Sequence, residues 1–185
     1  MSEPSDHQWD KVYAAIGKVV CEWAELENDL VRLLHDATIA EAPAFRSDAR
    51  THMAFLALVE NLDIRATVAA IKAIHFHLTY DFDFVAPIGP CLNRIENELR
   101  NERNRIVHDS WRLYQSGKLR RLQRGTKLVR QKGSGAELLY MGQSSEFESY
   151  RDIEAVAFRI QSEREILKAF REELLRLPPI KPDEE

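Results

Sequence analysis

The run Arg103-Asn104-Arg105-Ile106-Val107-His108 holds three side chains suited to work on a phosphodiester. An unperturbed histidine titrates at about 6.5, so His108 can take a proton from a ribose 2′-hydroxyl or give one to a leaving oxygen. Arg103 is always charged, and its fork matches phosphate oxygens. It can hold the scissile phosphate and stabilise charge as it builds up. Asn104 offers a donor and an acceptor for orientation. This chemistry needs no metal and no organic cofactor. Asn104 and His108 are four apart and share a helix face. Arg103 and His108 are five apart, about 140° around a helix turning 100° per residue. One helix brings both to one atom only if it ends or loosens near the histidine. Two copies related by a two-fold axis would do it differently, each lending its set to a shared groove. A plain structural role competes with both readings, because Arg and His near a helix C-terminus also suit its dipole and free carbonyls.

These residues must be positioned by long helices. Apolar residues recur at steps of three and four through Val12, Ile16, Val19, Val20, Trp23, Leu26, Leu30, Leu33 and Leu34, which predicts an amphipathic helix from about Asp6 to Asp36. A second helix is expected from Ser47 to Leu78, bent or broken near Asn61-Leu62-Asp63, and a third from about Gly89–Cys91 to Val107. After Trp111 the turn signals at Ser116-Gly117, Arg124-Gly125 and Lys132-Gly133-Ser134-Gly135 predict a small hairpin or meander over 116–142. A last helix starts near Ser149, with Asp152 placed to support its N-terminus. Its stripe runs from Ile153 through Val156, Ile160, Leu167, Phe170 and Leu174 to Leu177, interrupted by Glu163. The seven-residue rhythm fits packing on the parent bundle or a coiled-coil seam. Residues 178–185 read as a frayed, disordered tail. The expected fold is therefore a single all-α domain over 1–185. It is a four-to-five-helix up-and-down bundle with a small β insertion before the C-terminal helix.

Between Lys118 and Lys132 stand Arg120, Arg121, Arg124, Lys127 and Arg130, with no acid among them. Such a segment suits salt-sensitive contact with an RNA backbone, or equally a solvated hairpin whose edge is protected by charge. Tyr114 and Tyr140 suit base stacking or packing of the hairpin. His75 and His77, two apart on a helix, diverge and make a poor metal pair; His35 and His52 read as surface or boundary histidines. Glu27, beside the first helix's apolar stripe, is a candidate partner for Arg103 or Arg100.

The chain has 185 residues, 44% hydrophobic and 30% charged, with a formal charge of −4. That excludes a globally basic nucleic-acid binder but not a local basic surface. No apolar run approaches a membrane span, and the first residues show no signal-peptide pattern, so a cytoplasmic protein is expected. Cys21 and Cys91 fit no metal or redox spacing and read as reduced core thiols.

The segment Arg103–His108 resembles the R-N-x-x-x-H form of the HEPN signature: an arginine, a polar residue next, and a histidine four to six positions after the arginine. The Trp-x-x-Leu-Glu pattern at Trp23, Leu26 and Glu27, the tryptophan at Trp111, and a hairpin followed by a long last helix are similar to the same superfamily. The resemblance implies a HEPN-like helical bundle that dimerises, with paired motifs lining a cleft. Active members are metal-independent endoribonucleases, often toxins or anti-phage defence proteins. Carried onto this chain, Arg103 contacts phosphate, Asn104 orients and His108 transfers protons. RNA is the implied substrate, a homodimer the implied unit, and a cognate antitoxin or defence protein the implied further partner. Other members only bind nucleotide or RNA, or act as scaffolds, which is the alternative expectation. Many members carry glycine after the histidine. This chain has Asp109, whose carboxylate can compete for the arginine or raise the histidine's pKa.

Overall fold

Local capping chemistry sets where the long helices start and stop. The computed structural model describes residues 6–41, 49–59, 61–78, 88–114, 118–122, 126–129, 137–140, 144–147 and 149–176. Helix α1 spans Asp6–Glu41, five residues beyond its expected end. The second expected helix is two, α2 (Ala49–Val59) and α3 (Ile64–Leu78). Their break falls at Asn61-Leu62-Asp63, as the polar residues there predict. Asn61 Nδ2 donates to the Ala57 carbonyl at 2.6 Å, and Asp63 Oδ1 accepts from the Ala66 amide at 2.8 Å. One side chain thus satisfies a carbonyl at the end of α2, and the other an amide at the start of α3.

Helix α4 (Ile88–Arg94) passes into a π-helical turn, Ile95–Leu99, and then into α5 (Arg100–His108). The sequence predicts this stretch as one regular helix. The π turn carries one extra residue, closed by the Arg100 amide on the Ile95 carbonyl, and it re-phases the face that α5 presents. Five short strands follow: β1 (Ser110–Leu113), β2 (Leu119–Leu122), β3 (Thr126–Val129), β4 (Glu137–Tyr140) and β5 (Ser144–Phe147). Strands β1, β2 and β5 form an antiparallel sheet in that order, and β3 pairs with β4. The described strands therefore begin at Ser110 and end at Phe147, outside both expected bounds of 116–142. They start earlier because Ser110–Leu113 pairs along its whole length with Leu119–Leu122. Helix α6 (Tyr150–Arg176) opens on the expected cap: Asp152 Oδ2 accepts from the Ser149 amide at 2.9 Å, and Ser149 Oγ from the Arg151 amide at 3.2 Å. The protein is mostly helical with small antiparallel sheets. Among the described residues no helix is long and apolar enough to cross a membrane.

The chain divides into two compact units, Met1–Val20 with Asn101–Ala157, and Cys21–Arg100 with Phe158–Glu185. In the first, Val12, Ala15, Val19, Ile106, Leu113, Leu119, Ile153 and Val156 are buried. The second has the larger core, with Trp23, Leu26, Leu30, Leu33, Ile71, Leu92, Ile95, Ile160 and Leu167 among its buried side chains. The α6 stripe is buried within the chain itself, which is the packing role rather than an open seam. The phase of α1 corrects two sequence expectations: Val20 is exposed, and Cys21 is an exposed thiol rather than a core one.

Charge pairs tie α1 to α6 within the second unit. Arg164 donates to Asp29 Oδ2 at 2.9 Å and to Glu22 Oε2 at 2.6 Å, and reaches Glu25 Oε2 at 3.4 Å. Two turns further along, Arg171 pairs with Asp36. Burial works against the Arg164 charge, but its hydrogen bonds to Asp29 and Glu22 and the charges of those acids together outweigh it, and its pKa is raised. Glu163, the interruption in the α6 stripe, is buried because Arg94 Nε and Nη2 grip its two oxygens at 2.7 and 2.9 Å. Cys91 is buried beside it, with Sγ 3.8 Å from the Glu163 carbonyl oxygen. Burial first, and then the Glu163 hydrogen bond, push its thiol pKa well up.

Two tests follow from these contacts. Arg94→Ala strands a buried carboxylate and is expected to cost on the order of 3 kcal/mol in denaturant unfolding, whereas Arg94→Met with Glu163→Leu recovers most of it. A thiol reagent is expected to modify Cys21 in the native protein and Cys91 only after unfolding. The raised Cys91 pKa contributes stability that is intact below the unfolded thiol value of about 8.5 and declines as pH rises above it. Cys91→Ala should flatten that alkaline decline in midpoint-versus-pH curves.

Candidate functional site

The Arg103-Asn104-His108 set lies on the last turns of α5, which terminates at His108 itself. Arg103 Nη1 donates to Asn104 Oδ1 at 3.0 Å and stands 3.4 Å from His108 Nε2. A guanidinium can only donate, so a hydrogen bond at this contact requires Nε2 to accept, with the ring proton on Nδ1. The helix ending at the histidine, together with the reach of an arginine, overcomes the 140° divergence expected from five-residue spacing. The chain therefore assembles the pair within one copy. His108 is exposed, and Arg103 and Asn104 are half-buried.

Two tethers fix this helix end. Trp111 Nε1 donates to the Ile106 carbonyl at 2.9 Å, satisfying one of the carbonyls a helix C-terminus leaves open. The Asp109 amide adds a bond to the Arg105 carbonyl at 3.3 Å. Asp109 does not sit as a loose acid beside the histidine. Its Oδ2 lies 3.2 Å from Arg121 Nε on β2, with side-chain exposures of 12% and 9%. The N–H does not point straight at the oxygen, so charge holds the two together more than an aligned hydrogen bond. Burial lowers the Arg121 pKa and nearby Arg105 adds to that, while Asp109 opposes them.

The basic segment is split by strand parity. Leu119 and Arg121 point to the buried side of β2, and Arg120, between them, is half-buried on the other. Arg121, expected as an RNA contact, points inward and pairs with Asp109. Its signal was present in the sequence as the Leu-Arg-Arg-Leu alternation, which puts one of the two arginines inward. Lys118 is exposed, and Tyr114, whose amide donates to the Lys118 carbonyl at 2.9 Å, is 38% exposed. Arg124, Arg130 and Lys132 lie outside the described residues, as do the side chains of Lys127, Tyr140, His52, His75 and His77 and the tail 178–185.

Glu27 takes a different partner from the arginines expected for it, accepting from Trp23 Nε1 at 2.8 Å on its own helix. Arg100 is half-buried, at the junction of the π turn and α5. The second unit also holds a cleft of about 750 Å³, lined by Glu27, Arg32, His35, Leu56, Asp63 and Arg171 among others. His35 Nδ1 is 3.1 Å from Asp36 Oδ1 there, a boundary position as expected. Among the described residues no group of three His, Cys, Asp or Glu side chains is placed to hold a metal ion.

The Trp111 tether is testable by itself. Trp111→Phe keeps the ring and removes the donor, leaving the Ile106 carbonyl unsatisfied, and is expected to lower stability by about 1 kcal/mol. Urea unfolding monitored by helical circular dichroism checks it; an unchanged midpoint counts against the tether.

No family model matches the chain, and neither a characterised protein nor a solved structure matches it.

Proposed function

We propose that the protein is a metal-independent endoribonuclease of HEPN type. On this reading it works as a homodimer whose two Arg103-Asn104-His108 sets share one RNA groove, in a toxin–antitoxin or anti-phage defence setting. The observation that carries the reading is the 3.4 Å approach of Arg103 Nη1 to the exposed His108 Nε2. The long helices, with antiparallel strands inserted ahead of α6, support the HEPN-like bundle as the frame.

The chemistry runs as an in-line transfer. An RNA phosphate takes the guanidinium of Arg103 from the imidazole, so a non-bridging oxygen now accepts from Nη1. His108 Nε2, its lone pair released, removes the proton of the adjacent 2′-hydroxyl. The 2′-oxygen bonds to phosphorus, and the phosphorus–5′-oxygen bond breaks with its electron pair on that oxygen. A protonated His108 of the second copy supplies the proton to it. Arg103 meets the charge that builds on the phosphoryl oxygens, and Asn104 fixes the guanidinium through its 3.0 Å bond. The products are a 2′,3′-cyclic phosphate and a 5′-hydroxyl.

RNA cleavage is expected to persist in chelator. His108→Ala is expected to lower it about a hundredfold or more, and Arg103→Ala by roughly the same factor. Gel analysis with end-group mapping measures both. Cutting abolished by chelator, or a His108→Ala protein as active as wild type, rejects the reading.

A further inference from the structure

The residue after His108 is an acid, and a carboxylate that reached Arg103 would compete strongly with the imidazole for it. A carboxylate binds a guanidinium through charge-assisted hydrogen bonds, whereas a neutral imidazole offers one lone pair. Yet the structure has Arg103 Nη1 on His108 and Asn104, and the Asp109 carboxylate on Arg121. The element that decides this is β2. Strand parity turns Arg121 inward with Leu119, and Arg121 is only 8% exposed. In the β1–β2 register Arg121 stands opposite Trp111, whose ring N–H holds the Ile106 carbonyl. The end of α5 and the inward arginine are therefore locked to the same pair of strands.

We propose that Arg121 is a positioning residue of the Arg103–His108 site: it holds the Asp109 carboxylate on β2 and so keeps that carboxylate off the Arg103 guanidinium. The arginine does not touch substrate. It acts by occupying the one acid that immediately follows the histidine. It rests on the ribonuclease reading for its effect on cleavage, but not for its effect on the ring of His108. The residue that reads as part of an RNA-binding surface thereby serves the site from within the fold.

The test compares wild type, Arg121→Met and Arg121→Met with Asp109→Asn. Methionine keeps an apolar stem beside Leu119 and removes the charge. Arg121→Met is expected to lower kcat/KM on RNA by roughly tenfold or more, because the released carboxylate takes Arg103. Adding Asp109→Asn is expected to restore most of the loss, since the competitor is then uncharged. A purely structural role for Arg121 would not be rescued by removing a second charge. In parallel, the ring 15N signals of His108 are recorded at a pH where the imidazole is neutral. Wild type and the double variant are expected to share the Nδ1–H tautomer, and Arg121→Met to depart from it. If Arg121→Met does not fold, Arg121→Gln replaces it with the same expectations. The proposal is overturned if the single variant cuts as wild type, if its ring signals are unchanged, or if the double variant stays as impaired as the single one. If wild type cuts no RNA, the ribonuclease reading fails and the ring signals alone decide the role of Arg121.

Discussion

The place where α5 stops governs the rest of the site. Side chains five apart on a continuing helix point about 140° away from each other, and Arg103 would then look out on one side while His108 looked out on another. The chain leaves helical geometry at His108 and is in a strand by Ser110. A residue at the last helical position is free of the next turn's packing, so its ring can fold back along the helix toward Arg103. The termination is enforced by bonds of defined geometry. Trp111 caps the Ile106 carbonyl, Asp109 adds a backbone bond to Arg105, and its side chain is held on β2. The exposed histidine is thus mounted on a helix end that has little freedom to fray.

The chain meets its buried acids with fixed arginines. Glu163 on α6 would be an error in an apolar stripe, but Arg94 offers it a two-point fork, and Glu22 and Asp29 share Arg164 in the same manner. Such pairs add little net stability over well-packed apolar residues. They are costly to mispair, however, and so within the second unit they specify which turn of α6 faces α4 and which faces α1. Asp109 with Arg121 repeats the device at the β-sheet of the other unit. A protein with a net charge of −4 can place arginines inside in this way because each meets an acid at a set distance.

Much of the frame was legible in the sequence. The three-four rhythm from Val12 to Leu34 gave the buried face of α1, Asn61 and Asp63 gave the break after α2, and Ser149 with Asp152 gave the start of α6. What was not legible has physical causes. A π turn is a backbone event with no residue preference strong enough to mark Ile95–Leu99. Over a helix as long as α1 an apolar stripe leaves its edges ambiguous, which put Val20 and Cys21 on the wrong side. A four-residue strand such as Ser110–Leu113 carries only two residues per face, too few to separate from a loop. The motif itself was legible as residue types. Its assembly within one copy was not, because it depends on a helix end that spacing alone does not locate.

The contact between Arg103 and His108 is long for a hydrogen bond, at 3.4 Å, where a charge-assisted pair closes to about 2.7–2.9 Å. That weakness suits a resting arrangement. On the proposed ribonuclease reading, an accepting nitrogen holds the guanidinium in place and yields it to an RNA phosphate, and the exchange leaves the same nitrogen with a lone pair beside that phosphate. A carboxylate in the histidine's place would hold the guanidinium through charge-assisted hydrogen bonds and, on that reading, compete with the phosphate for it. On that reading, an accepting imidazole and the pairing of Asp109 with Arg121 act toward one end. Both leave Arg103 on a weaker partner at His108 than the Asp109 carboxylate would be.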